Sequence, residues 1–341
     1  MSKATPSQSG RLVRRVKISA IGCYVPPKKL TNADLEKMVD TNDDWIVTRT
    51  GIRTRHIVEP GVATSDLSVE AAKLVLEQRN LKGSDIDMII VCTVTPDMMF
   101  PSTACLVQDR LGATGAWGFD LIAACSGTVF GLTTGAQMIA SGAQERVLVI
   151  GADTMSKIVD YQDRATCVLF GDAAGAVLLE ASEDPDLGLL DYINEVDGSG
   201  GHMLYMPAGG SRLPASPETL AGRMHYVHQD GGQVFKYAVR KMSEVCVEIL
   251  RRNGLTPEDV DFLLLHQANG RIISAVADKL GMPENKAINI IEEYGNTTGA
   301  TIPLAAREVL NNGRLKKGDL VVMCAVGAGL TAGAALWRWA Y

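Results

Sequence analysis

Short uninterrupted apolar runs alternate along the chain with longer stretches whose apolar positions recur every three or four residues. The first pattern marks buried strands, and the second marks helices with one face on a core. Strands are predicted over Met88–Thr93, Gly118–Ile122, Arg146–Gly151, Ala174–Glu180, Phe262–His266, Leu320–Cys324 and Ala332–Trp339. Helices are predicted over Ser68–Gln78, Cys105–Leu111, Val129–Ser141, Gln233–Arg252, Arg271–Lys279 and Pro303–Asn311. Strands separated by helices in this way point to a layered α/β fold. Asp197–Gly232 is rich in Gly, Pro, Met and His without a clear period, so it reads as an irregular insertion over one face.

Two passages recur. LKGSDIDMIIV (81–91) is echoed by LTPEDVDFLLL (255–265), each a helix exit, an acidic turn and a buried strand. GDAAGAVLL (171–179) is echoed by GAGLTAGAAL (327–336), each a glycine-rich turn into a last strand. The repeats suggest duplication, although any two strand–loop–strand units share some likeness. Residues 1–16, polar and then basic, read as a flexible lead. One half follows over 17–184 and a second over 185–341, joined near Glu183–Pro185.

Composition narrows the function classes. The length of 341 residues suits one large α/β domain or two fused halves, and 46% apolar with 21% charged residues suits a soluble globular enzyme. Lys plus Arg number 33 against 39 Asp plus Glu, a balance that argues against nucleic acid as the main ligand but allows a local basic patch for an acidic partner. The cysteines (Cys23, Cys92, Cys105, Cys125, Cys167, Cys246, Cys324) form no CxxC pair and mostly sit in apolar runs, so they read as reduced core residues. The 5 histidines have no metal-ligand spacing, and no metal site is expected. The apolar run after the lead is short and is interrupted by Gly22 and Pro26-Pro27, so neither a signal peptide nor a membrane span is expected and the cytoplasm is the default.

One segment stands out chemically. GFDLIAACSG (118–127) carries Cys125 from an apolar strand into a turn of small residues, with a helical run directly after. A thiol at a helix N-terminus meets free N–H groups and a dipole that favour a thiolate, and the same N–H groups can hold an oxyanion. Such a cysteine can carry an acyl group as a thioester, although a lone cysteine in apolar surroundings also reads as structural. LLLHQAN (263–269) places His266 where a buried strand ends, either as a catalytic group or as a satisfied core histidine. EYGNTTGA (293–300) puts Asn296 on a turn before a helix, where a cap or turn role is equally open. VGAG (326–329) brings bare backbone to a site, as an oxyanion hole requires.

Together these segments resemble the β-ketoacyl-acyl carrier protein synthase III family, the initiating condensing enzymes of dissociated fatty acid synthesis. The resemblance runs from about Lys17 to the C-terminus and includes TNADLEKMVD (31–40), DWIVTRTGIR (44–53), FPS (100–102), FGD (170–172) and HQAN (266–269). It implies a thiolase-like five-layered αβαβα sandwich of two duplicated halves, assembled as a homodimer. Cys125 is then the acyl-accepting nucleophile, His266 and Asn296 complete the catalytic triad, and the backbone N–H groups of Cys125 and Ala328 form the oxyanion hole. Trp45, Arg49 and Arg164 match the mouth of a coenzyme A tunnel, and Asn269 matches a contact to its pantetheine arm. Lys236, Arg271 and Lys279 match a docking face for acyl carrier protein, with Asp278 replacing a basic neighbour. Phe100 matches a residue at the dimer interface that closes the partner's acyl pocket, which implies a short primer. No cofactor is implied beyond the acyl-CoA and malonyl-carrier substrates.

Rival readings are separable by single positions. A thiolase uses a second cysteine, and Cys324 lies near the glycine-rich loop, but aligned on Gly327 that cysteine falls on Ala325, one step away and on the opposite face of a strand. Thiolases and elongating condensing enzymes both carry histidine where Asn296 stands. A cysteine protease finds no counterpart in the surrounding peptide. A synthase-III-like enzyme of secondary metabolism, with the same triad and a different product, is the remaining alternative. Val326, Leu330 and Ala332 are smaller than their usual counterparts, so a wider cavity near the site is expected.

Overall fold

The computed structural model describes residues 14–341, and its strands form two large sheets and two small pairings, Lys29–Thr31 with Thr54–His56 and Leu204–Tyr205 with His228–Gln229. The first holds β1 (Val16–Tyr24), β2 (Met88–Cys92), β3 (Trp117–Leu121), β4 (Arg146–Thr154) and β5 (Asp172–Ala181) in the order β1-β5-β4-β2-β3. The second holds β6 (Gly188–Val196), β7 (Phe262–Leu265), β8 (Leu320–Gly327) and β9 (Thr331–Arg338) in the order β7-β8-β9-β6. In both sheets the first strand pairs antiparallel with the last, the last pairs antiparallel with its predecessor, and the remaining pairs are parallel.

The second sheet has a counterpart to β3 in a segment too short to form a regular strand. Leu263 bridges Ala287 in parallel, with Leu263 N–H donating to Lys286 O (2.9 Å) and Ile288 N–H to Leu263 O (3.1 Å). Gln267 fastens this edge: its Nε2 donates to Leu265 O (2.7 Å) and Ile288 O (3.0 Å), and its Oε1 accepts Ile290 N–H (2.9 Å). With that segment counted, strand order and polarity match between the halves, so the repeated passages are equivalent pieces of one duplicated unit.

Seven helices carry labels here: α1 (Asp43–Thr50), α2 (Thr64–Arg79), α3 (Thr103–Arg110), α4 (Gly127–Ala140), α5 (Gly231–Arg252), α6 (Gly270–Leu280) and α7 (Thr301–Asn311). Helices α2 and α3 cover the outside of the first sheet, α5 and α6 the outside of the second, and α4 and α7 lie between the sheets. This is the five-layered αβαβα sandwich. Helix α4 contains no charged residue because both its faces are covered. Val129, Leu132 and Ile139 of α4 and Ile302 and Val309 of α7 pack between Val147 and Val177 of one sheet and Val321 and Ala335 of the other.

The predicted elements are all present, several longer than expected, while β1 and β6 were not read because polar residues such as Lys17, Ser19, Asp191 and Asn194 interrupt them. The expected lead over 1–16 is too long. Residues 1–13 lie outside the described residues, but Arg15 Nε donates to Pro185 O (3.0 Å), Arg15 Nη1 donates to Leu189 O (2.8 Å), and Val16 opens β1. The insertion over 197–232 has little regular structure: a short helix, Pro217–Ala221, and a two-residue pairing of Leu204–Tyr205 with His228–Gln229.

Helix α4 approaches the first sheet closely because glycine faces it. A Cβ at Gly131 would lie 2.5 Å from Cys92 Sγ and 2.8 Å from Val149 Cγ1. Gly131→Val should therefore lower stability by about 1–3 kcal/mol through overpacking, more than the gain of up to about 1 kcal/mol from replacing a helical glycine. A urea unfolding midpoint equal to that of the parent protein would show that α4 lifts from the sheet without cost.

Candidate active site

Cys125 sits where β3 ends and the chain turns into α4. The turn Ala124–Ser126 starts with Ala124 in the left-handed region (φ 47°), and the helix begins at Gly127. The second half clamps this elbow: Thr331 Oγ1 donates to Ala123 O (3.0 Å) and Ser126 Oγ donates to Thr331 O (3.3 Å). Gly327, at the end of β8, presses on the same backbone. A Cβ there would lie 2.6 Å from Ala123 O and 2.8 Å from Cys125 N, so only glycine admits this approach. Ala328 follows directly and lines the space beside Cys125.

The second half builds the same elbow. Thr298 is left-handed (φ 48°), its turn spans Thr298–Ala300, and α7 begins at Thr301. Here the first half supplies the clamp, through Asp153 at the end of β4. Its buried carboxylate accepts from Thr93 Oγ1 (3.0 Å), Val94 N–H (2.8 Å), Thr95 N–H (3.2 Å), Thr95 Oγ1 (3.0 Å), Gly299 N–H (3.5 Å) and the Thr298 hydroxyl. Thr298 N–H donates to Asn296 Oδ1 (2.9 Å), which leaves the Asn296 NH2 for the cavity.

His266 stands one residue beyond β7. Its Nδ1 lies 2.8 Å from Thr301 Oγ1, and that hydroxyl also reaches Thr298 O (2.9 Å). Thr298 O already accepts the Thr301 N–H, so the hydroxyl can give its proton to Nδ1 without orphaning the carbonyl. The ring proton then rests on Nε2, a neutral donor. Burial pushes the His266 pKa down to about 3, which rules out a resting imidazolium.

Burial also pushes the Cys125 thiol up to about 12, with a further rise from the nearby Asp153 carboxylate. Dipole and N–H groups at the helix start do not outweigh removal of the sulfur from water.

Cys125, His266 and Asn296 share the floor of one cavity of about 420 Å³. Trp45, Arg49, Asn269, Lys236 and Arg271 line its outer part. The Trp45 ring carries two guanidiniums, Arg49 at 4.9 Å and Arg164 at 4.8 Å from its centroid, so Arg164 joins the mouth through the indole. Asn269 caps α6 by accepting Arg271 N–H (2.9 Å) and donates to Arg49 O (3.0 Å), tying the two walls together. Val326 and Leu330 of the glycine-rich loop line the cavity, while Ala332 is buried in β9. An apolar branch of about 130 Å³ opens at Cys125, walled by Val94, Ile158, Phe170, Leu204 and Met206. The insertion over 197–232 thus supplies one wall of the branch.

Other predicted residues lie apart. Lys279 is exposed about 12 Å along α6 from Arg271 and outside the cavity. Phe100 is 84% exposed and lines no cavity of its own chain described here. Cys324 packs toward α5, its Sγ 3.9 Å from Met242 O, while Ala325 faces the central layer. That orientation removes Cys324 from the site. All seven cysteines are unpaired. Asp153, Thr298 and Thr301 were missed by sequence reasoning; the available signal was a lone acid closing the apolar run VLVIGAD (147–153).

The description 3-oxoacyl-[acyl-carrier-protein (ACP)] synthase III matches residues 119–198, and that of the C-terminal region of the same family matches 250–339. Beta-ketoacyl-[acyl-carrier-protein] synthase III of Solibacter usitatus is 63% identical over 330 residues, covering 96% of this chain and 99% of the relative. The crystal structure of 3-oxoacyl-[acyl-carrier-protein] synthase III from Aquifex aeolicus aligns with a TM-score of 0.88 at 45% identity, over 95% of this chain and 100% of that one. The priming beta-ketosynthase of the R1128 polyketide pathway aligns with a TM-score of 0.88 at 32% identity, over 96% and 97% of the two chains.

The raised thiol pKa sets a pH dependence. Because thiolate is the reactive form, iodoacetamide labelling of Cys125 in the ligand-free protein should be slow at pH 7 and rise about tenfold per pH unit, without levelling by pH 10. A plateau below pH 8, read by peptide mass spectrometry, would show instead that the helix start holds a thiolate.

Proposed function

The chain belongs to the β-ketoacyl-[acyl-carrier-protein] synthase III family, and we infer from this membership and its site that it initiates fatty acid synthesis. It condenses an acyl-CoA primer with malonyl-acyl carrier protein, giving 3-oxoacyl-acyl carrier protein, CO2 and CoA. The observation that carries the residue assignment is the meeting of Cys125, His266 and Asn296 on the floor of one cavity.

In the first half-reaction the Cys125 sulfur attacks the primer thioester, and the oxyanion is held by the backbone N–H groups of Cys125 and Ala328. Collapse expels the CoA sulfur, which ends with the thiol proton. One thiol replaces another without net charge, which suits a site that disfavours both thiolate and imidazolium. In the second half-reaction the C–C bond to the malonyl carboxylate breaks and CO2 leaves. The electron pair forms an enolate, whose oxygen is held by His266 Nε2–H and the Asn296 NH2. Neutral donors stabilise that oxygen without delivering a proton to the carbanion carbon. The carbon attacks the acyl-Cys125 carbonyl, and the sulfur departs and takes one proton from solvent, the proton that the overall reaction consumes. The cycle needs no redox cofactor, because no electrons are gained or lost overall, and the enolate charge is met by the His266 and Asn296 donors.

Access follows from the mouth. The Trp45 indole and its two arginines fit the adenine and phosphates of CoA, and Asn269 lies along the path of the pantetheine arm. Lys236 and Arg271 at the rim, with Lys279 further along α6, form a basic face for an acidic carrier protein. The apolar branch is small beside the main cavity, about 130 against 420 Å³, which favours a short primer. Phe100 acts through a second copy: as a homodimer, each protomer would close the other's branch with this exposed ring. Among the described residues no helix is long and apolar enough to cross a membrane. The likeness to a polyketide priming enzyme keeps secondary metabolism as the second reading, at about half the identity of the fatty acid synthase relative.

Two sets of variants test these roles. Acetyl-CoA should leave one acetyl group on the Cys125 peptide, and Cys125→Ser should abolish it. His266→Ala and Asn296→Ala should each lose malonyl decarboxylation by about 10²–10³ while Cys125 still accepts an acyl group; normal decarboxylation in either variant removes that residue from the donor pair. Phe100→Ala should raise the ratio of kcat/KM for octanoyl-CoA over acetyl-CoA by at least about tenfold, since each buried methylene is worth about 0.8 kcal/mol. An unchanged ratio in a variant that still sediments as a dimer would exclude Phe100 from the pocket.

A further inference from the structure

Asp153 lies on the first half of the chain, yet its carboxylate bonds to the elbow of the second half that carries both donors of the condensation step. Thr298, the residue it holds, uses both of its peptide groups on the site. Its N–H fixes Asn296 Oδ1 at 2.9 Å, and its C=O receives the N–H of Thr301, the residue whose hydroxyl meets His266 Nδ1 at 2.8 Å. A β-branched residue at φ 48° is strained and keeps that conformation only where its surroundings enforce it. The bond from the Thr298 hydroxyl to Asp153 is the side-chain restraint on this conformation.

We propose that Asp153, through Thr298, is the positioning residue of the second half-reaction, aiming the Asn296 amide and the His266 ring together at the forming enolate oxygen. Cys125 lies on the other elbow, which Thr331 and Gly327 hold independently of Asp153. Loss of the Asp153–Thr298 bond therefore separates the two half-reactions. The inference rests on His266 and Asn296 being the donor pair. If their alanine variants decarboxylate normally, that reading fails first and the present one is not reached.

The test compares Thr298→Val, which keeps shape but loses the hydroxyl, with Thr298→Ser, which keeps the hydroxyl. Acetylation of Cys125 by acetyl-CoA and decarboxylation of malonyl-acyl carrier protein are measured separately. Thr298→Val should lower decarboxylation about 10²-fold, the scale of one lost oxyanion donor, with acetylation within about fivefold of the parent. Thr298→Ser should restore decarboxylation to within about threefold. Asp153→Asn should lower decarboxylation as Thr298→Val does, while loss of its charge also lowers the Cys125 pKa, so acetylation is compared between the Thr298 variants alone; where Asp153→Asn fails to fold, the Thr298 pair decides. Side-chain ¹⁵N spectra of the parent and Thr298→Val should show a changed Asn296 NH2 environment, with the other asparagines unmoved. Equal loss of both half-reactions would reduce Asp153 to a structural part of the fold. Unchanged decarboxylation in Thr298→Val, or a serine variant as impaired as the valine, would overturn the proposal.

Discussion

The site exists because each half's elbow is pressed against the fourth strand of the other half. Gly327, ending β8, lies on the backbone of Cys125, and Asp153, ending β4, holds Thr298. Both contacts need the two sheets to sit at a fixed distance, and α4 and α7 between them set that distance. The charge-free α4 and its close glycines are therefore conditions for catalysis as well as for packing. A shift of α4 by a methyl group would separate the thiol from groups contributed by the other half.

Duplication gives two elbows of one geometry, and divergence gives them different chemistry. Ala124 and Thr298 share a left-handed φ, each three residues before its central helix, so Cys125 corresponds to Gly299. One half keeps a thiol at that position. The other keeps a bare residue there and brings the flanking Asn296, with His266, to the same cavity. The segments between the first two strands of each half complete the difference: Trp45 and Arg49 of α1 line the mouth, and Leu204 and Met206 of the insertion over 197–232 wall the apolar branch.

Electrostatically the interior and the mouth follow opposite rules. At the floor, desolvation keeps the thiol protonated and the imidazole neutral. Charge forms there only transiently, on oxygens that meet aligned donors. At the rim, Arg49, Lys236 and Arg271 stay in contact with water and attract anionic groups without the cost of burial. On the proposed roles, the separation lets an acidic carrier dock at the rim while the reacting atoms meet a dry site.

What was legible in the chain is what neighbouring residues determine. Apolar periodicity marked most strands and helices, and the run from strand through Cys125 into helix is contiguous, so its turn was readable. The register argument against Cys324 held because facing alternates with every strand residue. His266 and Asn296 were each ambiguous alone, since their roles depend on meeting a cysteine from the other half. Asp153 and Thr298, separated by 145 positions, carried no local sign of their pairing. The desolvation that raises the Cys125 pKa was not legible for the same reason. A helix start is a local property, whereas desolvation depends on which distant segments cover the sulfur. Backbone geometry and periodicity act over a few residues and can be read from order alone; burial, clamping and shared cavities are set by contacts that only the folded chain creates.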